Sequence, residues 1–306
     1  VPHPTRPIRL IALGAAGAAL LTMSACGSSK SDNSASSATS SSVPTSSVDA
    51  SLAAKVPASY KNKGSVDVGS DVSYAPVEYF DTDGKTAIGI DPDLAAAIGQ
   101  KLGLKFVFHN ATFDGLIPAV TSKRYDIVMS AMSDNKERQT SLDFVDYFNA
   151  GTSILVKKGN PDHIASLDDL CGKTIAIQRG TTQEDVAKQQ QAKCPSGKKI
   201  NILTFSTDTD ALTQIKSGRA VADMNDFPVA SYNAKVSGNG NDFQVVGAQI
   251  SAGPYGIGFR KDDTAMRDAV QGALKAVIAD GTYDKILQKW NVTQGSLKTA
   301  AINGGS

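Results

Sequence analysis

The chain has 306 residues, with 31 basic and 30 acidic side chains, three histidines and a formal net charge of +1. A length of this order holds one large domain or two ordinary ones, and removes about three quarters of the chain's surface from water. The balanced charge, with no basic stripe carrying interleaved aromatics, argues against a nucleic-acid partner. His3, His109 and His163 lie too far apart for a metal-ligand spacing, so no metal or cofactor is expected.

At the amino terminus, His3, Arg6 and Arg9 precede LIALGAAGAALLTMSAC, an apolar run too short to span a membrane comfortably and closed by small residues. This is the build of a secretory signal peptide. Its end, Met23-Ser24-Ala25-Cys26, resembles the lipobox of bacterial lipoproteins, in which Cys26 would receive diacylglycerol and become the first mature residue. Met23 stands where that motif prefers Leu, and the alternative is a signal peptide cut nearby with Cys26 incidental. Residues 27–63 are largely small and polar and cannot bury enough apolar surface to offset their ordering entropy. They are expected to form a flexible tether, leashing the folded part to the outer face of a bacterial cell membrane.

From Gly64 short apolar runs alternate with amphipathic stretches. SVDVGSDVSY reads as a strand running into a loop. DPDLAAAIGQKLGL places Leu94, Ile98 and Leu102 at helical spacing, with Asp91 as the cap and Gly103 as the stop. KFVFHN is a strand, DGLIPAVTSKR a helix and YDIVMSA a strand. The rhythm restarts at CGKTIAIQRGTTQEDVAKQQQ and continues through TDALTQIKSGR and AVADMND. Such alternation predicts an α/β fold with helices on the faces of a sheet.

Two similar segments, NAGTSILVKKGN from Asn149 and SAGPYGIGFRKDD from Ser251, frame the second unit and read as strands crossing between lobes. Lobe 1 is then discontinuous, 64–150 and 251–306, and lobe 2 is 151–250. The last helical stretch should rejoin lobe 1 with Ala265, Val270, Leu274 and Val277 inward. Cys171 and Cys194, a pair in an oxidising compartment, are read as a disulfide contributing roughly 3 kcal/mol in the chain-entropy model. Two buried thiols are the alternative.

One stretch stands out. In IVMSAMSDNKERQTSLDF, Asp134 and Asn135 suit a helix N-cap. Arg138 would then face the positive end of the helix dipole, which is unfavourable by a few tenths of a kcal/mol. An anion would make the arginine worth keeping there; the alternative is a surface ion pair with Asp134 or Glu137.

Five segments together, SYAPVEY, GIDPDLAAAIGQKLG, FDGLIPAVTSKRYDIVMSAMSDNKER, RGTTQED and RKDDTAMRDAV…DGTYDKI, resemble the extracellular solute-binding proteins (family three) of polar amino-acid ABC importers. The similarity runs from about Ser65 to Trp290. It implies a two-lobed, periplasmic-binding-protein-like (type II) fold with two hinge strands and one ligand held in the cleft.

By the same resemblance Arg138 grips the ligand α-carboxylate, for which a guanidinium offers a matching planar fork of donors. Ser133 adds backbone or hydroxyl contacts, with Ser130, Ala131 and Met132 close by in the same segment. From lobe 2, Gly180, Thr181 and Thr182 complete the carboxylate grip at a helix start. Asp226 answers the α-ammonium, Asp223 being the alternative. Tyr74 and Phe113 sandwich the side chain. Asp71 matches a position that can meet the side-chain tip, and the alternation of Gln178 with Arg179 lets only one of them face inward, Gln178 being taken as that one.

The expected function is therefore a lipid-anchored, monomeric receptor that captures a polar amino acid and delivers it to the transmembrane subunits of an ABC permease. ATP hydrolysis would lie on other chains, since no Walker A motif is present. The alternatives are a dehydratase-like enzyme on the same scaffold and a ligand-sensing subunit.

Overall fold

A computed structural model describes residues 47–306. The signal peptide, Cys26 and most of the tether lie outside the described residues.

The elements follow in chain order. Helices α1 (Ala50–Lys55) and α2 (Ala58–Lys63) lead into β1 (Ser65–Ser70), β2 (Ser73–Tyr74), β3 (Glu78–Phe80) and β4 (Ala87–Ile88). Next come α3 (Ile90–Leu102), β5 (Lys105–Asn110), α4 (Leu116–Thr121), β6 (Ile127–Val128) and the long β7 (Leu142–Lys157). The second unit holds β8 (Thr174–Gln178), α5 (Thr182–Lys193), β9 (Asn201–Phe205), α6 (Asp208–Lys216), β10 (Ala222–Asp226) and α7 (Phe227–Val236). Then β11 (Phe243–Arg260) returns, and α8 (Thr264–Ala279) and α9 (Thr282–Lys289) follow.

One eight-stranded sheet runs through the molecule in the order β5-β1-β6-β11-β7-β10-β8-β9. The outer strands on each side are parallel, as helical crossovers require, whereas β7 and β11 pair antiparallel down the middle. Each long strand belongs to one lobe at one end and to the other lobe at the other. Between the halves their ladder is irregular, with register shifts between Val246 and Ile250 and between Ile250 and Gly253. On the lobe 1 side the core gathers Val66, Val68, Leu94, Ile98, Tyr147, Tyr255, Val270 and Leu274. On the lobe 2 side Ile154, Val156, Ile175, Ile177, Ala187 and Met224 form a separate cluster. The Cys171–Cys194 disulfide closes a 23-residue separation at the edge of that cluster, Cα to Cα 5.5 Å.

Several expectations need correction. The tether does not extend to residue 63, because α1 and α2 are folded against lobe 1. Asp49 caps α1, its Oδ1 accepting the Ser51 and Leu52 amides at 2.9 and 3.2 Å. Leu52, Val56 and Tyr60 are buried, a four-residue spacing hidden among small and charged neighbours. Asp91 is not a cap: α3 starts one residue earlier behind Gly89, and the Asp91 side chain is buried in lobe 1. The YDIVMSA strand reduces to Ile127–Val128, since the chain turns at Ser130 to enter the cleft. In α8 it is Met266 that points inward, while Ala265 is exposed.

The side chain of Leu52 lies against Gly272 of α8, where even an added Cβ would come within 2.9 Å of it. Leu52→Ala should therefore lower unfolding free energy by about 3 kcal/mol and leave ligand affinity unchanged. Calorimetry with and without ligand checks both halves of that statement.

Candidate functional site

The cleft forms where strands end. Parallel strands of an α/β sheet present their carboxyl ends to ligands, and here β1, β6, β8 and β10 all end at one narrow crevice. Its lining comprises Asp71, Tyr74, Glu78, Phe113, Ser130, Ala131 and Ser133 with Arg138 from lobe 1. Lobe 2 supplies Gln178, Thr181, Thr182, Gln183 and Asp226. Met132 does not join them; its side chain is buried with Leu116, Val128 and Phe144 behind the cleft wall.

Arg138 is held by a turn rather than by an α-helix. The segment Arg138–Thr140 is a single 3-10 turn, so no helix dipole opposes the cation. Asn135 Oδ1 accepts the Arg138 amide at 2.9 Å, which fixes the turn, while Asp134 is engaged elsewhere. The guanidinium donates to Ser133 O at 2.9 Å and, across the cleft, to Gly180 O at 3.1 Å. Its Cζ lies 5.3 Å from the centre of the Phe113 ring. Among the described residues no carboxylate makes an ion pair with it, so the pairing with Asp134 or Glu137 is not formed. Burial lowers its pKa, against the charges of Asp185 and Asp226.

Asp226 ends β10 and leads into α7, where Pro228 occupies the first turn. Its Oδ2 accepts the Tyr74 hydroxyl at 3.0 Å and its Oδ1 the Gln183 amide at 2.9 Å. Burial raises its pKa to about 6, opposed by hydrogen bonds from Tyr255 and Tyr74 and by the Arg138 charge. Asp223 faces away, buried beside Asp208.

Asp71, 4% exposed, accepts the Ser73 hydroxyl at 2.7 Å and the Gln178 side-chain amide at 2.5 Å. Gln178 thus faces inward, whereas Arg179 points outward and meets Asp114 at 3.6 Å at the rim. Thr181 is the N-cap of α5, accepting the Glu184 amide at 3.2 Å, while Glu184 reaches back to the Gly180 amide at 2.8 Å. The Thr182 hydroxyl takes no part in that box; it donates to Gln183 Oε1 at 3.4 Å and lies 3.5 Å from Ser133 Oγ. Gly180 adopts φ +77°, and a Cβ there would meet Asp114 at 2.9 Å, so a side chain would obstruct the approach of the lobes.

Two lining residues were not anticipated, Glu78 and Gln183. Glu78 stands four residues beyond Tyr74 in SYAPVEY and Gln183 follows Thr182 in RGTTQED, so adjacency to assigned positions was the available signal. Glu78 is buried, its Oε1 accepting the Ser130 hydroxyl at 3.1 Å. Behind it Asp91 accepts the Tyr147 hydroxyl at 2.9 Å and the Ala131 amide at 3.2 Å. Desolvation and the neighbouring Asp91 carboxyl hold Glu78 protonated well above the ordinary range, and burial pushes Asp91 up to about 7. Asp208 beside Asp223, and Asp146 beside Asp134, are likewise raised to about 7, chiefly by burial. Among the described residues the cleft lining therefore holds one cation, Arg138, in an acidic surround.

These raised carboxyls set the pH response. Their folded pKa values of about 6 to 7 exceed the unfolded value of 3.8, so the native state holds protons that the unfolded chain releases. Their stabilisation is complete below the unfolded pKa and is lost as pH rises through 6 to 7. Asp67, Asp143 and Asp280 are lowered and stay charged across this range. The ligand-free protein should thus melt at a higher temperature at pH 5.5 than at pH 8; a melting temperature that falls on acidification over this interval would contradict the assignment.

Residues 66–293 match the family described as bacterial extracellular solute-binding proteins, family 3. The chain is 32% identical over 255 residues to the arginine-binding protein ArgT of Corynebacterium glutamicum, covering 82% of each chain. Among solved structures it is similar to an ancestral arginine-binding protein bound to arginine, with TM-score 0.69 and 38% identity over 74% of this chain and 98% of that one. It is also similar to the ancestral amino acid-binding protein AncCDT-1, a precursor of cyclohexadienyl dehydratase, with TM-score 0.68 and 39% identity over 76% and 97% of the two chains.

Proposed function

Because this chain belongs to the bacterial extracellular solute-binding proteins, family 3, we propose that it is the receptor of an ABC importer for an α-amino acid with a cationic side chain. The observation that carries the reading is Arg138, a guanidinium without a carboxylate partner among the described residues, which lines the same crevice as Asp226 from the other lobe. A zwitterion supplies the complement of both. Its α-carboxylate would take Arg138, with the Thr182 hydroxyl, and its α-ammonium would take Asp226. Each buried charge would then be paired, as a low-dielectric site requires.

The side chain would run between Tyr74 and Phe113 toward Asp71, Glu78 and Gln178. Two acids and an amide oxygen at that end favour a guanidinium or ammonium tip over a carboxylate. Similarity to arginine-binding proteins supports the same class. Bound first to lobe 1, the ligand would supply the missing contacts of lobe 2 and shift the hinge equilibrium toward closure. The closed shape would be what the permease transmembrane subunits recognise, with a lipid on Cys26 keeping the monomeric receptor at the membrane.

A second reading, an elimination enzyme of the dehydratase kind, draws on the protonated Glu78 in the cleft and on the similarity to AncCDT-1. We favour plain binding, since Arg138 and Asp226 are accounted for by holding a zwitterion. Incubation of the bound compound with the protein should return it unchanged by NMR; product formation would select the enzyme.

Isothermal titration against L-arginine, L-lysine, L-histidine, L-glutamine and L-citrulline tests the receptor reading. One cationic amino acid should bind per chain. Arg138→Ala should abolish binding, and Asp226→Ala should weaken it by about a hundredfold or more, the loss expected when one partner of a buried charge pair is removed. Asp71→Asn should narrow the preference for L-arginine over its neutral isostere L-citrulline. Affinity should fall by about tenfold per pH unit below pH 6, because protonation of Asp226 removes the counter-charge of the ammonium. Wild-type affinity in both Arg138→Ala and Asp226→Ala would defeat the site.

A further inference from the structure

The family match ends at residue 293, yet the chain beyond it is folded back along lobe 1. Its path is fixed by hydrogen bonds and by the packing of Ala300 and Ile302 against the lobe 1 core. The Leu297 amide donates to the Tyr283 hydroxyl at 2.9 Å, and Gln271 donates to Ala300 O at 2.8 Å. The tail then lies along the lobe 1 end of β7: the Asp146 amide donates to Ala301 O at 2.9 Å, and the Asn303 amide to Phe144 O at 3.1 Å. Asn303 Oδ1 accepts the Phe144 amide at 2.8 Å, and its Nδ2 reaches Asp143 at 3.0 Å.

The last contacts lie beside the ligand site. The Gly304 amide donates to Asp146 Oδ2 at 3.1 Å, and the Gly305 amide to Asp134 Oδ2 at 2.8 Å. Gln139 closes the clasp from the other side, its Nε2 donating to Gly305 O at 3.1 Å and to Asp134 Oδ1 at 2.7 Å. Asp134 follows Ser133, and Gln139 follows Arg138. The clasp therefore grips the binding loop on both flanks of its guanidinium, while the Asp134 amide is tied to Pro254 O of β11 at 2.8 Å. The fit leaves no room for a side chain, since a Cβ on Gly305 would fall 2.0 Å from the Asp134 carbonyl oxygen.

We propose that residues 301–305 are a positioning strap for the ligand site, holding the Ser133–Arg138 loop so that the guanidinium meets the carboxylate in one prepared geometry. This rests on the receptor reading, in which Arg138 takes the α-carboxylate. A loop already ordered before binding escapes the entropy loss that an unheld loop would incur at the moment of association. Ser133 and Arg138 touch the ligand in this account; Asp134, Gln139 and Gly305 act through them.

The test uses L-arginine as probe and three variants of the protein. Gly305→Val forces the strap off Asp134, and Gln139→Ala removes the cross-link with little disturbance of packing. Ile302→Ala takes an apolar contact from the same strap but leaves the clasp intact. The first two should weaken L-arginine binding by about tenfold and speed amide hydrogen exchange across residues 133–140 in the ligand-free protein. Ile302→Ala should lower the melting temperature while Kd stays within about twofold, because only packing is lost. Unchanged Kd in Gln139→Ala and Gly305→Val overturns the strap's role and leaves the receptor standing. So does a Kd that tracks melting temperature across all three variants. Failure of the unaltered protein to bind L-arginine or another cationic amino acid removes the receptor reading and the strap's function with it.

Discussion

The organisation of this protein depends on a guanidinium kept apart from every carboxylate that surrounds it. Arg138 is half-buried, lies in an acidic neighbourhood, and yet donates to two backbone carbonyls, one from each lobe. Neutral oxygens compensate a cation only partly in a desolvated place. Much of the nearby structure reads as a means of preserving that state. Asp134 is occupied by Gln139 and Gly305, Asp226 by Tyr74 and Gln183, and Asp71 by Ser73 and Gln178. Had any of these carboxylates turned onto Arg138, an internal ion pair would compete with whatever anion the cleft receives.

The acidic surround has its own logic. Buried carboxyls come as neighbours, Glu78 with Asp91, Asp208 with Asp223 and Asp134 with Asp146, and each such couple is neutralised in part by retained protons. The retained protons keep full charges from being placed against one another in these couples. They also connect the cleft to the backbone behind it, since Asp91 accepts the Ala131 amide beside the serine that contacts Glu78.

Much of this was legible in the sequence. The β–α rhythm gave the layered fold, and the paired Ala-Gly strands from Asn149 and Ser251 pointed to the two long central strands. The odd placement of Arg138 singled out the loop, although for a partly mistaken reason: the turn there is too short for a dipole, and Asn135 Oδ1 accepts the Arg138 amide. What stayed hidden depends on contacts distant in sequence. Leu52, Val56 and Tyr60 carry their helical stripe through residues whose composition reads as linker, and only packing against α3, α8 and β1 makes them a core. Met132 belongs to an assigned segment, but alternation turns its side chain to the core while its neighbours face the cleft. Glu78 needed the Asp91 side of lobe 1, and the strap needed knowledge of where the tail returns.

The two central strands also carry an irregularity beside Asp226. Thr152 of β7 is in register with Asp226 of β10 and with Ile250 of β11, and it is on either side of that Ile250 pairing that the ladder loses its regular spacing. A two-stranded ribbon flexes where its rungs are uneven and resists shear where they are even. The uneven stretch of the central ribbon and the carboxylate that would neutralise an incoming ammonium thus share a single rung. Were one half to rotate against the other at these rungs, the aim of that carboxylate would change least, and groups at the far lip would sweep the widest arc.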